Sequence, residues 1–188
     1  GLAVGNVVQV THEDLQVPAE SERSPNDERR ALEAAIGEAR LQLDALQGKL
    51  RRRADPGKAA IFAAHAELIE DPDLMDIAES AIAKGRTAAF AWQQAYTTHA
   101  DRLAGLSNEL LAARANDLRD VGQRVLRLVL GLPPEEEVTH PENTILIAED
   151  LTPSDTASLD TTRVLGFCTV AGGASSHVAI LARSLDIP

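Results

Sequence analysis

The residues best suited to chemistry lie near the end of the sequence, in the run Gly172-Gly173-Ala174-Ser175-Ser176-His177. The two glycines permit a tight turn and a close approach of the backbone to a ligand, and Ser175 or Ser176 can cap a helix that begins there. His177 falls in the first turn of that helix, where free N–H groups favour an anion and disfavour a charged imidazolium. Because a neutral imidazole can act as a nucleophile, the motif fits a phosphoryl or anion site as well as a capped helix with an incidental histidine.

The segments around this motif alternate between strand-like and helical patterns. Residues 144–148 and 164–167 are rich in Val, Ile and Leu, and Thr152-Pro153 opens a short helix between them. Such alternation predicts an α/β sheet unit. A further strand is predicted within residues 4–10, and its nearest candidate partners lie beyond residue 140.

Residues 24–131 follow a different period, with apolar side chains recurring every three or four positions. Ser24-Pro25 and Asp71-Pro72 each offer an N-cap followed by a first-turn proline. The sequence therefore predicts an all-α helical bundle over residues 24–131, inserted into an α/β domain made of residues 1–23 and 132–188.

Composition excludes several classes of protein. The 188 residues carry 29 acidic and 18 basic side chains, a net charge of −11, which argues against nucleic-acid binding because phosphate contacts need clustered Lys and Arg. No window approaches the 18 apolar residues of a membrane span, so membrane insertion is not expected. A single cysteine, Cys168, cannot form an internal disulfide and is predicted to be a small core residue. With no secretory signal, the expected compartment is the cytoplasm.

Several motifs, in order along the chain, resemble enzyme I of the bacterial phosphoenolpyruvate-dependent sugar phosphotransferase system. Besides the glycine–histidine run, they are Gly1-Leu2-Ala3-Val4-Gly5, Ala60-Ile61-Phe62 with His65, Asp117-Leu118-Arg119-Asp120-Val121-Gly122, residues 150–157, residues 164–167 and Ala182-Arg183-Ser184-Leu185. The resemblance covers nearly the whole chain and implies an α/β phosphohistidine (swivelling) domain with an inserted helical bundle. Pyruvate phosphate dikinase and phosphoenolpyruvate synthase share the histidine motif, whereas the inserted helices are particular to enzyme I-like proteins. The chain begins without Met and stops just past a predicted helix, so we expect it to be truncated at both ends.

The resemblance implies that His177 accepts a phosphoryl group from phosphoenolpyruvate through Nε2 and transfers it to the small carrier protein HPr. In the family, phosphoenolpyruvate and Mg²⁺ bind to a C-terminal barrel domain that this chain lacks. The chain alone is therefore expected to exchange phosphoryl groups with HPr, and no cofactor or metal site is expected in it. The same resemblance places the hydroxyl of Thr156 and the ammonium of Lys58 near the reacting ring.

HPr docks, in the family, on the helical insert. By position, the resemblance assigns this surface to Leu68, Asp71, Asp73 and Leu74, with Arg114 on the last helix of the bundle. An apolar patch with a charged rim suits a transient interface, in which charge mainly sets the rate of encounter.

Two alternatives differ from this function. Similar domains occur in fused multiphosphoryl transfer proteins and in the dihydroxyacetone kinase phosphotransfer subunit. In a non-catalytic helical interaction module, the glycine pair would serve only as a turn.

Of the other histidines, His65 lies on an apolar helix face and is predicted to be a core or interface residue. His12, His99 and His140 show no partner pattern and are predicted to lie on the surface.

Overall fold

The computed structural model describes residues 2–52, 56–133, 140–160 and 162–170. The chain forms two compact units, one of Gly1–Leu15 with Glu135–Pro188 and the other of Gln16–Pro134. The first contains a small parallel sheet and the second is helical, which confirms the predicted combination of an α/β part with an inserted bundle. In the described part of the chain, no helix is both long and apolar enough to cross a bilayer.

The helical unit contains five helices among the residues that the structure describes. They are α1 (Pro25–Arg52), α2 (Pro56–Leu68), α3 (Pro72–Ala83), α4 (Ala88–Ala104) and α5 (Glu109–Val129). Short polar side chains cap their N-termini, with Asp71 accepting from the Asp73 N–H, Thr87 from Phe90, and Asn108 from Leu110 and Leu111. These acceptors satisfy N–H groups that have no partner within the helix.

The core of the helical unit lies where α4 packs against α3 and α5, and where α1 packs against α2 and α5. Its largest fully buried side chains are Trp92, Phe62, Leu32, Leu43, Ile69, Leu74, Ile82, Leu118 and Leu126. Most of these are apolar residues at helical spacing, so burial of one face holds each helix in place.

A buried carboxylate joins the start of α1 to the start of α4. Glu28 is only 5% exposed, and its two oxygens accept hydrogen bonds from the Ser21 hydroxyl and from the Ala88 N–H, the latter at 2.9 Å. Ala88 is the first residue of α4, so Glu28 supplies an acceptor that this terminus would otherwise lack.

We expect Glu28→Ala to lower the free energy of unfolding by about 2–3 kcal/mol, because it leaves a buried N–H unpaired and removes packed atoms. Glu28→Gln keeps an acceptor and should cost less. Urea denaturation followed by the fluorescence of Trp92, the only tryptophan, measures both values. Glu33→Ala, at an exposed position of the same helix, is the matched control. An equal decrease in the free energy of unfolding of this variant would show that the hydrogen bonds of Glu28 do not stabilise the fold.

The α/β unit contains the strands β1 (Asn6–Val10), β2 (Thr144–Ala148) and β3 (Val164–Thr169), with α6 (Pro153–Ser158) between β2 and β3. The strands are parallel in the order β1-β2-β3, with Asn6 opposite Thr144 and Ile147 opposite Cys168. The isolated strand near the start therefore pairs beyond residue 140, as predicted.

The two faces of the sheet differ. Leu146 and Val164 pack with Leu159 on one face, joined by Val8, Val10 and Phe167. On the opposite face Val7 is 62% exposed, Ile147 is 38% exposed, and Cys168 is exposed. The prediction that Cys168 is a core residue is wrong, because successive strand residues point to opposite faces and its neighbour Phe167 occupies the core face.

The structure explains why the opening motif has a glycine at position 5. A Cβ built on Gly5 would lie 2.2 Å from the carbonyl oxygen of Asn143, the residue that precedes β2. The same carbonyl accepts a hydrogen bond of 2.7 Å from the Asn6 N–H. Only glycine allows the two segments to approach this closely where the pairing of β1 with β2 begins.

Candidate functional site

The predicted phosphohistidine motif, with Gly172, Gly173, Ser175, Ser176 and His177, lies outside the described residues. The structure does define where the chain enters it. The Val170 N–H donates to the Ala148 carbonyl at 3.2 Å, so the chain leaves β3 at the carboxyl edge of the sheet. In parallel sheets, the crevice outside this edge is where ligands bind.

Thr156 belongs to the helix that begins just beyond the same edge, because α6 follows β2. Thr152 and Asp155 cap α6 reciprocally: the Thr152 hydroxyl accepts from the Asp155 N–H, and the Asp155 carboxylate accepts from the Thr152 N–H. Thr156 is 4% exposed, and its hydroxyl donates to the Pro153 carbonyl at 2.8 Å. The Thr156 oxygen therefore keeps its lone pairs as acceptors.

A histidine that sequence reasoning left without a role also lies at this edge. The Nε2 of His12, in the segment after β1, is 3.2 Å from Oδ2 of Asp155. His12 is exposed as predicted, and its side chain retains 43% of its accessible surface. No local pattern in the sequence predicts this pair, because its members are separated along the chain by the whole helical unit.

Lys58 lies in the first turn of α2, in the helical unit, and is partly buried. It belongs to a different compact unit from Thr156.

The predicted docking residues divide into buried and exposed groups. Leu68 is 6% exposed and Leu74 is fully buried, so both lie in the core. Asp71 is the N-cap of α3, and Asp73 and Arg114 are exposed. The polar residues of this set are therefore the ones accessible to a partner.

His65 is fully buried, as predicted for a core histidine. Its Nε2 lies 3.1 Å from Oδ1 of Asp117, and its Nδ1 lies 4.0 Å from Oδ2 of Asp120. The ring also contacts Phe62 edge-on, with ring centroids 5.4 Å apart. This cluster gives the acidic pair of the Asp117–Gly122 motif a structural role, because it ties α5 to α2.

The glycine of the same motif lies against the aromatic residues of α4. The Trp92 indole N–H donates to the Gly122 carbonyl at 2.9 Å, and the ring of Tyr96 lies 2.4 Å from the position that a Cβ on Gly122 would occupy. Burial raises the pKa of Tyr96 from 10.0 to about 12. Its hydroxyl is therefore protonated at neutral pH, where it donates to Gln123 at 3.3 Å.

His140 is buried at 8% exposure, so the prediction that it lies on the surface is wrong. It precedes the turn into β2, and its carbonyl accepts a hydrogen bond from Arg163.

Within the described ranges, no group of three or more His, Cys, Asp or Glu side chains could hold a metal ion.

Comparison with known proteins gives a consistent result over both units. The family model described as "PEP-utilising enzyme, N-terminal" matches residues 1–114, and that described as "PEP-utilising enzyme, mobile domain" matches residues 140–188. A multiphosphoryl transfer protein of Xanthomonas campestris pv. campestris is 42% identical over all of this chain. A phosphoenolpyruvate-protein phosphotransferase of Geobacillus stearothermophilus is 36% identical, also over all of it. The chain spans 23% and 33% of the lengths of these two relatives, respectively.

Solved structures agree with this relationship. A solution NMR structure of Enzyme I (nEIt) superposes with a TM-score of 0.74 at 34% identity, over 99% of this chain and 76% of the other. The N-terminal domain of an Enzyme 1 - Nitrogen protein superposes with a TM-score of 0.64 at 31% identity, over 100% of this chain and 78% of the other. The chain therefore belongs to the family of PEP-utilising enzymes and corresponds to the N-terminal part of enzyme I, or to the equivalent part of a multiphosphoryl transfer protein.

Proposed function

We propose that this chain is the phosphohistidine and HPr-binding part of a phosphoenolpyruvate-protein phosphotransferase. The observation that carries the proposal is the match of the mobile-domain family model to residues 140–188, the stretch that contains His177. Relatives that this chain matches along its whole length are named phosphoenolpyruvate-protein phosphotransferase. A role in sugar uptake, in the cytoplasm, follows from the same proposal.

In this function, Nε2 of His177 attacks the phosphorus of phosphoenolpyruvate, and the bond from phosphorus to the enol oxygen breaks. A histidine of HPr then attacks the same phosphorus, and the P–N bond to His177 breaks. Nucleophilic attack needs a neutral imidazole with a free lone pair on Nε2. The Thr156 hydroxyl donates its O–H to the Pro153 carbonyl, so its oxygen is suited to accept the Nδ1–H of that ring and leave Nε2 free.

The phosphoenolpyruvate site and its Mg²⁺ belong, in this proposal, to a C-terminal barrel domain of the same parent protein. The metal would neutralise charge on phosphoenolpyruvate there, and this chain would need no cofactor of its own. The chain's share of its relatives, 23% to 33% of their length, leaves ample room for such a domain in them.

The decisive experiment is to incubate the 188-residue chain with HPr that carries a radioactive phosphoryl group. We expect the chain to acquire label that is labile in acid and stable in alkali, and peptide mapping should place it on the fragment that contains His177. A folded chain that acquires no label would contradict the proposed function and favour a non-catalytic interaction module.

We propose that the docking surface for HPr lies on the α2–α3 turn and the N-terminal half of α5, which packs beside α2. The contact of His65 with Asp117 places α5 beside α2. Asp117 lies about one helical turn after Arg114 on α5, and His65 lies three residues before Leu68 on α2. Leu68 and Leu74, being buried, would hold the α2–α3 turn in shape, while Asp71, Asp73 and Arg114 would meet the partner. Such rim charges act mainly on the rate of association.

We therefore expect Arg114→Glu to raise the KM for HPr about ten-fold, equivalent to about 1.4 kcal/mol, with little change in kcat. Arg102→Glu, which reverses an exposed charge on α4, is the matched control and should leave both constants unchanged. Rates of phosphoryl exchange over a range of HPr concentrations measure both constants. An unchanged KM in Arg114→Glu would place the docking surface elsewhere.

A further inference from the structure

A single carboxylate connects two segments at the carboxyl edge of the sheet. Oδ2 of Asp155 lies 3.2 Å from Nε2 of His12 and accepts the Thr152 N–H at 2.8 Å. The Asp155 N–H in turn donates to the Thr152 hydroxyl at 3.1 Å. The segment after β1 is thus joined, through Asp155, to the first turn of α6.

The helix that receives this contact is short. α6 has six residues, and a helix of that length is not stable alone in water. Its position depends on its caps and on contacts from outside, and the His12 imidazole supplies one such contact at the N-terminal turn. Thr156 directly follows Asp155, so any displacement of this turn also displaces the Thr156 hydroxyl.

We propose that His12 is a positioning residue for phosphoryl transfer: by donating from Nε2 to Asp155, it holds the N-terminal turn of α6 and with it Thr156. The inference rests on the proposed function and extends it to a residue outside the known motifs. His12 acts through Asp155 and touches neither the phosphoryl group nor the partner. Its loss should therefore lower kcat and leave the KM for HPr unchanged.

The contact of His12 with Asp155 is not expected to stabilise the fold as a whole. Asp155 retains 18% and His12 43% of their side-chain surfaces, and ion pairs at such exposure contribute little to global stability. Removal of the imidazole should therefore leave the chain folded, with its thermal unfolding midpoint nearly unchanged. The effect is expected in the rate of exchange, because small displacements of groups near a reacting atom have large kinetic consequences.

The test compares phosphoryl exchange between phosphorylated HPr and the 188-residue chain in variants of His12. We expect His12→Ala to lower kcat about five-fold at unchanged KM. His12→Gln, whose side-chain amide can donate to the same carboxylate, should restore most of the rate. Asp14→Ala, exposed in the same segment, is the matched control and should exchange at the wild-type rate. In an Asp155→Ala background, His12→Ala should have no further effect, because the path through Asp155 is already lost.

The possible outcomes separate this inference from the function on which it rests. Wild-type protein that acquires no label would overturn the proposed function and the inference together. Labelled wild type with His12→Ala exchanging at the same rate would overturn the inference alone. A five-fold loss that His12→Gln does not restore, or that persists in the Asp155→Ala background, would also overturn it.

Discussion

Replacement of His177 by Ala is expected to abolish the label that the chain acquires from phosphorylated HPr. The variant changes neither the sheet nor the helical unit, but it has no imidazole to form the P–N bond. Loss of a nucleophile that forms a covalent intermediate removes the reaction path, so the label on the chain should fall to background, a decrease of at least about a thousand-fold. Scintillation counting of the gel-purified chain measures this loss.

The matched control for this variant is another histidine of the same chain. His99→Ala, on α4, should acquire label at the wild-type rate. Circular dichroism and Trp92 fluorescence report whether each variant retains the helical unit. A folded His177→Ala chain that still acquires acid-labile label would show that another side chain carries the phosphoryl group.

Replacement of Gly122 by Ala is expected to destabilise the helical unit by about 2–3 kcal/mol, although alanine is the better helix former. An added Cβ would lie 2.4 Å from Cγ of Tyr96, and the two neighbouring Cδ atoms would be within 2.7 Å. The ring cannot move away easily, because Tyr96 is 4% exposed and packs beside Trp92. The helices α4 and α5 would have to separate, which would also weaken the hydrogen bond from Trp92 to Gly122.

Gly37→Ala is the control that separates crowding from helix propensity. Gly37 lies within α1, and apart from the neighbouring residues and backbone of its own helix no atom lies within 4 Å of the position that its Cβ would occupy. This substitution should raise the free energy of unfolding by about 0.5–1 kcal/mol. Urea denaturation monitored at Trp92 compares the two variants. Equal stabilisation of both would show that the Gly122 contact with Tyr96 does not constrain the packing of α4 on α5.

Helices and strands could be predicted because local residues mark where they begin. Pro25, Pro72 and Pro153 each occupy the first position of a helix, and Thr152 caps α6 as expected. The pairing of β1 with β2 could also be predicted, because a strand cannot stand alone and no other candidate partners preceded residue 140.

Contacts between elements could not be predicted, because periodicity identifies the buried face of a helix but not the residue that it meets. Glu28 looked like one of many acidic helix residues, yet it receives the Ala88 N–H sixty positions away. In the sequence, the acidic pair of the Asp117–Gly122 motif indicates only a family resemblance. Its structural role depends on contacts with His65, which lies on a different helix.

The candidate site was predicted to the extent that one short motif contains it. The topology adds that the segments after β1, β2 and β3 share an edge, which follows from parallel pairing and not from any local pattern. This edge brings His12 to Asp155, a pair that no local signal in the sequence suggested.

Insertion of the helical unit between β1 and β2 has a consequence for biosynthesis. Ribosomes add about 5–20 residues per second, so Asn6 leaves the exit tunnel on the order of ten seconds before its partner Thr144. The helical unit, rich in contacts between neighbouring helices, can fold during that interval. Meanwhile β1 exposes unpaired backbone groups that a chaperone or another nascent chain can bind. The sheet is therefore completed after the helical unit has been synthesised, and slow codons or bound chaperones at this stage would act on the sheet while sparing the helices.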